Sequence, residues 1–264
     1  MTVSFTFDDG LKAHLTIAAP LLEKYGWRGA FNVCTDFLEE NPRSLTADKL
    51  RILGLTEHPE CRMNWDDARE LLKRGHEVYP HSCSHENLEK CWKAGDYDLV
   101  KHEIQDSIAA YRDHIGVLPR FFCCPHLGET PEVRDLIRAE GVEMFNNWRP
   151  GFGGDAAADA VTKSLCKLYY EGRRHIDLMF HGIVVREGGY KPFADESVFE
   201  EILKTVMNLE KRGKIRVVPY RSAHFGPSSC DLMLDGCEWF FKKCRRVIFR
   251  LVCQDSVPPE KWLV

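Results

Sequence analysis

Two carboxylates stand side by side in Thr6-Phe7-Asp8-Asp9-Gly10, where an apolar run ends and a glycine lets the chain turn sharply. The pair suits one metal ligand plus one general base. The plainer reading is a loop aspartate that caps the next helix. His81-Ser82-Cys83-Ser84-His85 offers two imidazoles four residues apart, a pair able to grip one ion. A chain with eleven histidines gives roughly 0.4 such pairs by accident, so this pair alone carries little weight. Cys83 is expected to point away from a site held by its two neighbours. Asp177-Leu178-Met179-Phe180-His181-Gly182 ends another apolar run in a polar group. His181 suits a general acid, and the plainer reading is a hydrogen-bonded histidine at a rim.

Jointly the three clusters say more. Two histidines and one carboxylate form a facial three-ligand set with open positions for water and substrate. The second aspartate supplies a base for that water, and a histidine from another strand protonates the leaving group. Together they make a complete hydrolytic kit.

These clusters must be brought together by the elements that carry them. Short β-like runs alternate with longer helical patterns, which argues for parallel βα units. Strands are expected at 2–7, 28–34, 76–81, 120–124, 142–146, 165–170, 176–181 and 215–218. Helices are expected at 14–25, from Asn64 to Arg74, at 97–115, from Thr130-Pro131 to Gly141, and from a capping box at Ser197-Val198-Phe199-Glu200 to about Arg212. Ser84 is expected to cap a helix that begins at His85. About eight strand candidates with helices between most of them fit a closed or nearly closed βα barrel. The C-terminal ends of its strands converge on one mouth, where all three clusters fall. Beyond Tyr220 the pattern changes. Asp235-Gly236 signals a turn, and residues 238–253 mix aromatic and basic residues. A hairpin or helix covering the barrel is expected there, and a basic amphipathic element touching membrane or partner is the rival reading.

The composition excludes several classes. A length of 264 residues with 44% hydrophobic and 29% charged residues fits one large α/β domain, with or without a small appendage. A net charge of -4 gives no electrostatic case for nucleic acid. No apolar run is long enough to span a membrane, and the first residues read as a strand rather than a secretory leader. The eleven cysteines include no C-x-x-C pair, so a zinc ribbon is not expected. Most lie in apolar stretches and behave as small hydrophobes, which predicts a reducing, cytoplasmic compartment.

The three motifs, in this order, resemble the polysaccharide deacetylases (carbohydrate esterase family 4, the chitooligosaccharide deacetylase homology domain). Met63-Asn64-Trp65-Asp66-Asp67 and Arg74-Gly75-His76-Glu77 resemble the family's helix and strand before its histidine pair. The resemblance spans residues 2–220. It implies a distorted (β/α) barrel, TIM-like with fewer than eight complete units, over residues 1–220, and leaves 221–264 as a short C-terminal appendage. It implies Asp8 as base, Asp9, His81 and His85 as ligands of one divalent ion, and His181 as acid. Zinc is the expected ion, with cobalt or nickel as alternatives. The implied partner is an acetylated sugar or oligosaccharide, and the implied reaction is removal of N- or O-linked acetyl groups.

The chain also departs from the family pattern. Where the family's third motif carries an arginine, a proline and an aromatic, this chain reads Cys123-Cys124-Pro125-His126. A thiol cannot hold a carboxylate by charge, so Arg149 of Asn147-Trp148-Arg149-Pro150 is the expected substitute beside Asp8. Pro125, His126 and Trp148 are expected at the substrate, with the His126 backbone N–H serving the oxyanion. Three other readings stand beside this one. They are an amidohydrolase of the same fold acting on a small non-sugar amide, a metal-binding homologue without turnover, and a carbohydrate-binding module. The last has no need for two adjacent aspartates.

Overall fold

A computed structural model describes residues 1–40, 62–145, 158–184 and 194–224. Its centre is β1 (Thr2–Phe7), which alternates strictly between two environments. Val3, Phe5 and Phe7 face one way and are fully buried, while Ser4 and Thr6 face the other way and are equally buried. A strand polar on one side and aromatic on the other is expected where one face lines a barrel and the other meets helices.

β2 (Gly29–Val33) runs parallel to β1 on one side, and β6 (His175–Phe180) runs parallel on the other. The β6 register is long, from Thr2 opposite His175 to Phe7 opposite Phe180. β3 (Glu77–Pro80) lies outside β2. The short pair β4 (Phe121–Phe122) and β5 (Glu143–Met144) continues the parallel array, joined to β3 where Cys123 N–H donates to the Pro80 carbonyl at 2.9 Å. The pair β7 (Ile183–Val184) and β8 (Ala194–Asp195) follows β6. β9 (Arg216–Val217) pairs with the first two residues of β1. The result is an all-parallel (β/α) array with the layout of a distorted barrel, short of eight complete units among the described residues.

Helices cover the apolar face. A π-helical turn (His14–Ala18) leads into α1 (Ala19–Lys24). α2 (Trp65–Lys73) starts at Asn64, and the expected cap is a full capping box with Asp67. α3 (Leu88–Ala94) and the long α4 (Tyr97–Ile115) follow, then α5 (Pro131–Ala139), which Thr130 caps through Val133 N–H. α6 (Ala158–Tyr170), α7 (Glu196–Lys211) and α8 (Tyr220–His224) complete the set. Phe5, Phe7 and Phe180 pack with Phe199 of α7 in stacked and edge-on pairs with centroids 5.0–6.5 Å apart. Each such phenylalanine contributes roughly 1.5–3 kcal/mol by burial. On the other face, Tyr79, Phe121, Phe145 and Tyr220 form a separate aromatic cluster that fills the interior.

Three expectations fail. Residues 165–170 are the end of α6 rather than a strand. Val161, Leu165 and Leu168 are buried at spacings of four and three, a helical period that the β-prone Leu-Cys-Lys-Leu-Tyr-Tyr text conceals. Ser84 caps no helix, because its N–H and hydroxyl both donate to Glu103; the helix begins at Leu88 with Asn87 as cap. α7 starts at Glu196, so Ser197 lies inside its first turn. The turn at Asp235-Gly236 and the basic stretch 238–253 lie outside the described residues.

Candidate metal centre and its surroundings

The mouth is built from backbone conformations that side-chain-bearing residues rarely adopt. Asp9 follows the strand with φ +84°, which turns its carboxylate to the same side as that of Asp8. This is the distorted strand end that two adjacent carboxylates need in order to share one site. Gly10 is also left-handed, at φ +74°, and an added Cβ would meet Leu38 at 3.3 Å. The turn is held from outside: Met63 N–H donates to the Gly10 carbonyl at 2.9 Å, and Lys12 Nζ reaches both carboxylate oxygens of Asp67 at 2.7 Å.

His81 arrives from β3. Its Nδ1–H donates to the Cys123 carbonyl at 2.9 Å, which leaves Nε2 as a lone pair facing the mouth. Ser82 and His85 are both left-handed at φ +65°. His85 N–H donates to Ser82 Oγ at 3.0 Å. Behind them Glu103 of α4, 1% exposed, accepts from Ser84 N–H at 2.9 Å and from Ser84 Oγ at 2.5 Å. A buried carboxylate is tolerable there because both bonds are charge-assisted.

These supports bring Asp9 Oδ1 to 3.1 Å from His85 Nε2 and 3.7 Å from His81 Nε2. Asp8 Oδ2 is 4.0 Å from His81 Nε2. Three donors at 2.1 Å around a tetrahedral ion stand about 3.4 Å apart, so the spacing fits one divalent ion. Asp9 Oδ1 is buried and makes no hydrogen bond of proper geometry, an orphaned acceptor that a cation would satisfy. Burial pushes the Asp9 pKa up, but His85, His181 and His81 outweigh it and hold the carboxyl well below the usual range.

Asp8 is 4% exposed, and its Oδ1 accepts from Asn32 Nδ2 at 2.7 Å. His181 sits just past β6, whose last residue Phe180 accepts from Asp8 N–H at 2.9 Å. The His181 carbonyl is bonded by His14 Nε2 at 2.5 Å. His14 is fully buried against Phe7 and Phe31, and burial lowers its pKa to about 4. It is therefore neutral at pH 7 and donates through Nε2–H. Pro125 is buried, while His126 is exposed in a left-handed turn at φ +56° with its ring 4.5 Å from that of His85. Cys123, fully buried, places a ligand-type atom within 4.8 Å of Asp8 and His81. Trp148 and Arg149 lie outside the described residues. A cavity of about 1020 Å³, lined by Thr35, Trp65, Ser84 and Glu103 among others, lies behind the histidine loop and includes none of the converging groups.

The sequence profile of the polysaccharide deacetylases matches residues 1–145, which carry Asp8, Asp9, His81 and His85. This chain belongs to the polysaccharide deacetylase family. The same fold appears in a peptidoglycan deacetylase from Bacillus subtilis, at 16% identity and TM-score 0.54, covering 97% of each chain. It appears in a family 4 acetyl xylan esterase from Clostridium thermocellum in complex with a cobalt ion, at 21% identity and TM-score 0.51, covering 84% of this chain and 90% of that one. It also appears in a family 4 pseudoenzyme from Bacillus anthracis, at 14% identity and TM-score 0.54, covering 82% of this chain and 63% of that one. No curated protein matches the chain in sequence. Among the described residues, no helix is long and apolar enough to cross a membrane.

Asn32, His14, Glu103 and the Cys123 carbonyl went unnoticed in the sequence. Asn32 had one signal, a lone polar residue in the buried run Ala30-Phe31-Asn32-Val33.

Proposed function

We propose that this chain is a metal-dependent deacetylase that removes N- or O-linked acetyl groups from a sugar or oligosaccharide. The convergence of Asp9 Oδ1 with Nε2 of His81 and His85, beside a second buried carboxylate, carries the reading. These three residues would hold one divalent ion, zinc by preference and cobalt or nickel as substitutes. When bound, the ion supplies Lewis acidity and lowers the pKa of a water.

The protein's own groups do the rest. Asn32 donates to Oδ1 of Asp8 and so orients the carboxylate that takes a proton from the attacking water. His181 gives a proton to the departing amine or alcohol. Its carbonyl is anchored by His14, which fixes the backbone that carries the ring. The backbone N–H of His126 is the donor for the acetyl oxygen as that oxygen gains charge, and Pro125 and Trp148 are placed at the substrate. Asn32 holds Asp8 in the geometry described, and Arg149 is kept as a second positioning group for it. The catalytic unit covers residues 1–220, with 221–264 as an appendage. A reducing, cytoplasmic setting agrees with Cys34, Cys83, Cys91, Cys123 and Cys124, none of which is in a disulfide.

The test is metal content together with acetate release from chitooligosaccharides and from acetylated xylan, before and after chelation. Acetate release that stops on chelation and returns with zinc or cobalt supports the reading. A protein without bound ion, or with activity indifferent to chelators, overturns it. A bound ion with no acetate released from either substrate would favour the homologue without turnover.

A further inference from the structure

A second group of ligand-type atoms lies at the other end of β6. His175, Asp177 and His224 each place one such atom within 4.8 Å of the others. His175 and Asp177 are two residues apart on one strand, so both face the interior, and α8 brings His224 to them. The Asp177 carboxylate is 1% exposed. His181 is six residues beyond His175 and four beyond Asp177, about 13–20 Å away at strand rise, so the two clusters are separate.

His175 has a polar atom beside each ring nitrogen. Its Nδ1 lies 2.9 Å from Thr2 Oγ1, which also reaches the Arg174 carbonyl at 3.1 Å. Its Nε2 faces Asp177 Oδ1 at 2.8 Å, a gap that an Nε2–H bridges as a hydrogen bond and that two ligands of one cation also span. His224 adds a third group: its ring stands 5.3 Å from that of His175, and its Nε2 is buried without a hydrogen-bond partner among the described residues. Burial disfavours the protonated form of His224.

We propose that His175, Asp177 and His224 form a second divalent-cation site on the floor of the barrel, of imidazole and carboxylate type and suited to zinc or cobalt. The ion would clamp α8 to β6 and, through Thr2, to β1.

In the full chain carrying His81→Ala and His85→Ala, this is the ligand cluster left among the described residues to bind the probe, Co²⁺. Cobalt titration should give visible d–d bands that saturate at a single ion, and adding His224→Ala should abolish them. The parent chain should hold two ions by elemental analysis, and its His224→Ala variant one. A double variant with a native circular-dichroism spectrum that binds no cobalt overturns the proposal; the cluster is then a hydrogen-bonded plug. So does a parent chain with a single ion that is lost on His81→Ala. These outcomes do not depend on whether the mouth turns over an acetyl group.

Discussion

The two ends of β6 hold the same kinds of side chain in different backbones. At the His175 end the residues lie on a regular strand and a helix, none with positive φ. At the His181 end all five non-glycine residues with positive φ among the described residues gather: Asp9, Ser82, His85, His126 and Leu127. Each such residue costs of order 1–3 kcal/mol, so the mouth persists only because bonds from remote elements over-determine it. A regular strand presents alternate residues to one face, which suffices for a structural clamp. Presenting two adjacent carboxylates and a histidine pair to one point requires a broken backbone.

The comparison is tested most severely by removing a ligand. Asp9→Asn or His81→Ala should lower acetate release on the order of 10³-fold or more and empty the upper centre, while cobalt binding at the lower cluster persists. Loss of both sites together would show that the ends are one cooperative unit. Asp8→Asn comes next. It should keep the ion and lower kcat by about 10²–10⁴-fold, because it removes a proton acceptor and retains the shape. Metal loss in Asp8→Asn with retention in Asp9→Asn would reverse their roles. Glu103→Gln should weaken metal affinity about 10–100-fold by slackening the Ser84 loop, with a smaller change in kcat. Isothermal titration with zinc reads this directly, and unchanged affinity would mean the loop holds itself.

His14 gives an effect of stability rather than chemistry. Its folded pKa of about 4 lies below the ordinary histidine value of 6.5. The unfolded chain therefore takes up its proton first as pH falls. Stability from this group is full above pH 6.5 and declines down to about pH 4, by up to about 3 kcal/mol. Urea melts at pH 7 and pH 5 should differ less in His14→Phe than in the parent, and an equal difference would remove His14 as the cause. Gly10→Ala should show the smallest effect, about 1 kcal/mol of stability, since it strains one left-handed turn.

How much of this was legible in the sequence depends on range. The helix expected at 97–115 is present with those bounds, and the caps at Asn64 and Thr130 hold, because these signals are complete within a few residues. Asp8-Asp9 and His81/His85 are visible for the same reason. The groups that steer them are not. Asn32 is 24 residues from Asp8, Cys123 is 42 from His81, and His14 is 167 from His181. Such partners exist only once the barrel is assembled. The false strand at 165–170 fails differently, since β-prone residue types outweighed a helical spacing that becomes evident only once burial is known.

The left-handed backbone at Asp9 also limits how this protein can drift. Glycine, asparagine and aspartate tolerate that conformation best, and longer or branched side chains do not. Of those three, only aspartate brings a negative charge. His81, on an ordinary backbone, could exchange with another donor through ordinary substitutions, but position 9 has almost no sequence neighbours that keep both the turn and the charge. A selection for altered ion preference would therefore recover changes at 81 and leave 9 untouched.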